Sequence, residues 1–123
     1  MFFQTYASVR EVLISEIYFP ALHRVLSCQW DTGSRQTCIR NAKVSGIKHK
    51  RITEVGTVGG KVGAVVYDMD IAIDPEKPPL KFEALGVPEI HGADCLIGMD
   101  IISRGNLTIT NTDTTTTLRF ELL

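Results

Sequence analysis

Residues 51–58 and 62–73 are two β-rich runs divided by Gly59-Gly60. Val and Ile recur in both, joined by Thr in the first and Tyr in the second, and such side chains suit a pleated strand. Paired glycines supply the positive φ of a tight turn, so the two runs read as one long hairpin. Alternation of apolar and polar residues, punctuated by turns, recurs over residues 9–18, 24–30, 80–85, 106–110 and 115–122. Pro20 and His23 mark a turn, and Asp74-Pro75-Glu76-Lys77-Pro78-Pro79 reads as a surface loop that no central strand can enter. Threonines 114–117 suit a strand edge. One short helix is expected over 99–103, stopped by Gly105, with a helical turn near 42–46. The expectation is an all-β chain with one small helix, built as a closed barrel or a folded sheet.

Composition narrows the function classes. At 123 residues the chain reads as a single domain over 1–123, with 44% hydrophobic and 22% charged residues, as in ordinary globular proteins. The 13 basic and 14 acidic side chains leave a net charge of −1, so no global field holds nucleic acid or an anionic membrane. Lys48-His49-Lys50-Arg51 is a local basic cluster that reads as a solvated turn. No apolar run is long enough for a spanning helix. The start, Met1 to Tyr6, is apolar but has no basic region, and Arg10 and Glu11 interrupt it, so a cytoplasmic location is expected.

Three cysteines, Cys28, Cys38 and Cys95, form no C-x-x-C pair, so neither a disulfide framework nor a zinc ribbon is implied. His91 and Cys95 have helical spacing, but Gly92 and Pro88 oppose a helix there. The thiols read as small buried or half-buried groups, and neither a metal nor a cofactor is expected.

Most catalytic motifs fail. There is no G-x-S-x-G elbow. Gly60-Lys61 lacks the following Ser or Thr of a phosphate loop, and Val55 stands where its first glycine belongs. One segment remains: Trp30-Asp31-Thr32-Gly33-Ser34, an acid directly after an apolar strand, followed by a turn. A second segment, Ala93-Asp94-Cys95-Leu96-Ile97-Gly98-Met99-Asp100-Ile101-Ile102, runs apolar residues and a glycine straight into the short helix. Gly98 lacks a side chain, so the Asp31 loop can approach it closely.

Together these segments resemble the retroviral-type (retropepsin-like) aspartic proteases, particularly their prokaryotic single-domain relatives. The resemblance rests on D-T-G-S at Asp31 to Ser34, the glycine-bearing hairpin, Leu96-Ile97-Gly98 and the helix after it, and it spans residues 9–120. It implies an aspartic endopeptidase with one catalytic Asp per chain, working as a homodimer in which two Asp31 carboxylates activate water. Thr32 would then hydrogen-bond across the dimer and Gly33 would bring its backbone near the carboxylate. The hairpin around Gly59 and Gly60 would be a flap closing over an extended peptide, with Ser34 and Arg35 beside the substrate. The alternative is a non-catalytic module that keeps the fold for dimerisation or peptide binding.

Some residues depart from the family pattern. Arg35 and Gln36 follow the motif where acidic residues are usual, and Met99 stands where Arg is frequent. The acid-to-Arg support is expected to be absent, or rebuilt through Arg35 with Asp94 or Asp100. Trp30 is bulkier than the usual aliphatic residue. Ser34 adds a hydroxyl that either donates to Asp31, favouring its anion and an acidic optimum, or bonds backbone within the turn. The apolar C-terminus, Leu118, Phe120, Leu122 and Leu123, is expected to need cover from a second subunit.

Overall fold

The structure is a computed structural model and describes residues 1–123, apart from the side chains of Thr57 and Val62. The strands are β1 (Phe2–Tyr6), β2 (Ile14–Phe19), β3 (Arg24–Trp30), β4 (Cys38–Arg40) and β5 (Arg51–Thr57), then β6 (Gly60–Ile71), β7 (Leu80–Val87) and β8 (Cys95–Ile97). The short helix α1 (Met99–Ile102) leads into β9 (Gly105–Asn111) and β10 (Thr116–Leu122). Short 3-10 turns occupy Pro20–Leu22 and Asn41–Val44.

Two sheets form, ordered β1-β10-β9 and β2-β3-β8-β4-β7-β6-β5. Of the two forms expected, the closed barrel is corrected and the folded sheet holds: the larger sheet curls on itself but stays open. Strand β5 begins opposite Val66, which leaves the rest of that edge of β6 unpaired by it, and just past β6 Ala72 makes a lone bridge with Tyr18. One bridge brings the sheet's ends together without a continuous ladder between them.

Alternation selects the buried faces. In β10, Thr116, Leu118, Phe120 and Leu122 point inward while Arg119 and Glu121 face water. Leu118 and Phe120 are fully buried within the same chain, and β10 is paired on both edges, by β1 and β9. The C-terminal apolar face is thus covered without a second subunit, contrary to expectation; only Leu123 is exposed. The face packs into the main core with Trp30 against Phe120, while residues 2–6, whose strand the opening residues of the sequence did not announce, take one edge of β10.

Trp30 joins the two sheets. Its ring lies 5.8 Å from Phe2 and 5.2 Å from Phe120, centroid to centroid, and its Nε1 donates to the buried Ser15 hydroxyl at 2.9 Å. The bulky residue before Asp31 is therefore a core anchor with its polar atom satisfied. Leu26, Ile39, Ile71, Ile97 and Ile101 fill the same core.

The long hairpin forms in the expected place with a shifted tip. Thr57 pairs with Gly60, so Val58 and Gly59 make the two-residue turn, and Gly60 carries the positive φ of 115°. Residues 65–71 of β6 pair with β7, whereas 60–64 pair with β5 alone. The distal hairpin is a two-stranded ribbon projecting beyond the sheet. Its base is clamped: Arg51 makes a two-pronged contact with Glu83 at 2.7 and 2.8 Å, and Lys50 adds a third at 2.8 Å.

Among the described residues, no helix is long and apolar enough to cross a membrane. The three thiols are free, Cys28 and Cys95 buried and Cys38 half-buried.

Candidate active site

Asp31 is the first residue after β3, and the parallel partner strand β8 sets its position. Cys28, Gln29 and Trp30 align with Cys95, Leu96 and Ile97, and the Asp31 amide continues the ladder to the Ile97 carbonyl at 2.9 Å. The chain then turns sharply. The Ser34 amide donates to the Asp31 carbonyl at 3.2 Å, and the Gly33 amide donates to Asp31 Oδ1 at 3.0 Å. A Cβ on Gly33 would sit 3.3 Å from that same oxygen, so glycine allows the close approach of backbone to carboxylate. Thr32, Gly33 and Arg35 are exposed, and Asp31 is half-buried.

Helix α1 straps this loop from below. The Met99 amide donates to the Ser34 carbonyl at 2.7 Å, and the Asp100 amide donates to the Arg35 carbonyl at 3.2 Å. Gly98 packs directly on the loop: a Cβ there would lie 2.8 Å from the Gln36 carbonyl carbon and 2.9 Å from the Ser34 oxygen. The glycine read from sequence as a site of close approach has this role, and its neighbour is backbone that cannot step aside.

Thr37 and Asp100 complete the strap; sequence reasoning gave Thr37 no role and offered Asp100 only as a partner for Arg35. Thr37 is fully buried. Its hydroxyl donates to Asp100 Oδ1 at 2.7 Å and accepts from the Gly98 amide at 3.1 Å, while its own amide donates to the same carboxylate oxygen at 3.0 Å. A threonine six residues after the acid and an aspartate in the first turn of a short helix were the available signals. They are faint, since Ser, Thr and Asp cap turns everywhere.

The support expected from Arg35 is not what forms. Asp100 is bonded to Thr37, and Asp94 faces Arg40 at 3.4 Å and Lys43 at 3.6 Å. Ser27 donates to Asp94 from both its amide and its hydroxyl, each at 3.1 Å. Burial raises the Asp94 pKa, but these hydrogen bonds and the two cations outweigh it, and the carboxyl sits below its ordinary value. Ser34 takes the second of its two readings: its hydroxyl donates to the Gln36 carbonyl at 2.8 Å and not to Asp31.

A cavity of about 360 Å³ opens beside Asp31, floored by Gln29, Cys38 and Leu96 and walled by Val87, Glu89, Ile90 and His91. A larger cleft of about 690 Å³, between Asp70, Phe82 and Arg104, shares none of these residues. Size alone would direct attention there, but the turn geometry and the acid lie at the smaller one. Gly59 and Gly60 are at the hairpin tip, on a different element from the Asp31 turn. Among the described residues no cluster of His, Cys, Asp and Glu is arranged to hold a metal, and His91 is exposed while Cys95 is buried.

No protein-family model matches the sequence, and a search of curated proteins returns no relative. Solved structures do match. A retropepsin-like aspartic protease from Rickettsia conorii superposes with a TM-score of 0.62 at 14% identity, covering 94% of this chain and 89% of that one. The simian foamy virus protease gives 0.54 at 19% identity over 76% of this chain and 92% of its own. The EIAV protease, solved with the inhibitor HBY-793, gives 0.59 at 18% identity over 77% and 88%. At such identities the likeness speaks for the fold: this chain has the fold of the retropepsin-like aspartic proteases, most of it β-sheet, with one short helix.

Proposed function

We propose that the chain is an aspartic endopeptidase, one retropepsin-like domain over residues 1–123 acting as a homodimer. The observation that carries this reading is the Asp31 turn: a carboxylate at a strand end, held by the Gly33 amide, strapped by α1 and open to a cavity.

The chemistry requires two acids, and among the D-[TS]-G motifs the sequence has only that at Asp31. Two carboxylates at close range cannot both ionise, so a pair of Asp31 side chains shares a proton. The ionised member takes a proton from water and the protonated member donates to the peptide carbonyl. The water oxygen bonds to the carbonyl carbon, the C–N bond then breaks, and a proton passes to the leaving amine. Exposed Thr32 and Gly33 are the surface that would meet the second copy, the commonest symmetry being twofold. The ribbon at 57–60 serves as the flap, since only β5 and β6 hold it, and closing it excludes water over an extended peptide. Ser34 and Arg35 would lie beside that peptide. A cytoplasmic protease is the setting proposed.

The purified chain incubated with casein and a peptide library tests this. Wild type is expected to cleave, D31N to lose cleavage while keeping its fold and sedimentation coefficient. Wild-type cleavage rates in D31N, or full activity independent of concentration from a sedimenting monomer, would overturn the assignment.

A further inference from the structure

The cavity beside Asp31 has a composition of its own. Four adjacent strands, β3, β8, β4 and β7, present residues to it. Cys38 stands opposite Leu96 in register, and Leu96 opposite Gln29, so the floor is a row of side chains on rigid sheet. Gln29 and Asp31 are two apart, on the opposite side of the strand from buried Trp30. Val87 and Ile90 add an apolar wall, and all four apolar residues are half-buried, hence available to a ligand.

The rim differs from the floor. Glu89 is exposed, lines the cavity, and makes no ion pair among the described residues. Arg40 lines the adjoining cavity with it, but its guanidinium is held 3.4 Å from Asp94, which also takes Lys43. The local cations Arg40 and Lys43 thus pair with Asp94, and Glu89 lines the rim shared by both cavities without a cation of its own among the described residues.

An apolar trough ending in an unpaired carboxylate fits a side chain with an apolar stem and a cationic head. We infer that this pocket takes a lysine or arginine side chain flanking the scissile bond, its stem on Cys38, Val87, Ile90 and Leu96 and its charge at Glu89. The inference rests on the peptidase reading for its setting, but binding alone can test it.

Three peptides differing at one residue, norleucine, lysine or glutamate, are titrated against D31N by fluorescence anisotropy at about pH 7.5, above the ordinary imidazole range. An exposed pair is worth up to about 1 kcal/mol, so lysine should bind about two- to fivefold tighter than norleucine. Adding E89Q should erase that order, and E89K should favour the glutamate peptide. Equal binding of the three, binding of none, or an order that survives E89Q overturns the inference. The same peptides offered to wild type separate the two readings. A Glu89-dependent binding order without cleavage sinks the peptidase and keeps the pocket. Cleavage without that order does the reverse.

Discussion

Replacing Thr37 by Val keeps the side-chain shape and removes one hydroxyl from the strap beneath Asp31. That hydroxyl makes a 2.7 Å hydrogen bond to the Asp100 carboxylate, and bonds to charged groups contribute about 1.5–3 kcal/mol. It is also the acceptor for the Gly98 amide at 3.1 Å, in a site where Thr37 and Gly98 are buried. An unsatisfied buried amide costs about 1–3 kcal/mol. The two effects share atoms and do not add fully, because Asp100 keeps the Thr37 and Ile101 amides. The expected loss is about 2–4 kcal/mol in urea denaturation at fixed protomer concentration, since dimerisation shifts apparent stability. Thr37→Ser, which retains the hydroxyl, should lose less. The loop carrying Asp31 is attached to the same strap, so kcat of T37V should fall by about tenfold or more through misplacement of the acid. A stability loss below about 0.5 kcal/mol, or equal losses for Val and Ser, would refute the reasoning.

Gly98→Ala places a methyl 2.8–3.0 Å from backbone of Ser34 and Gln36, and overpacking of that kind should cost about 1–3 kcal/mol, read by denaturant titration; a neutral result contradicts the contact. Ser34→Ala should leave the acidic limb of a pH–rate profile in place, because the hydroxyl faces the Gln36 carbonyl; a shifted limb would restore a link to Asp31. Glu83 is drawn from 4.5 down to about 2, chiefly by Arg51 and then by Lys50. Its folded-state pKa is depressed, so the clamp at the hairpin base is complete above the ordinary carboxylate pKa and is lost as pH falls through about 2. A carboxyl carbon titration by NMR checks this, with added salt weakening the shift because Glu83 is one-third exposed; a midpoint near 4.5 would contradict it.

Local chemistry was legible wherever a few neighbouring residues decide it. Alternation and turn residues placed the strand over Arg24–Trp30, the hairpin, the proline loop and the helix that begins at Met99, because side-chain period and φ preference act over a few positions. Asp31-Thr32-Gly33 was legible because its turn is local too: the Gly33 amide bonds the carboxylate two residues before it. The three-residue strands Cys38–Arg40 and Cys95–Ile97 were not, since a run so short has no period to read. Nor were the open sheet, the Trp30 bridge between sheets, the cover over the C-terminus or the partners of Asp94 and Asp100. Each is a contact between residues far apart in sequence, decided by which surfaces meet once the sheet has twisted. The short-range pattern of the sequence determined that the chain makes strands and a braced acidic turn. Packing alone decided that Thr37 and Asp100, not Arg35, do the bracing, because hydrogen bonds go to whichever donors burial brings within reach.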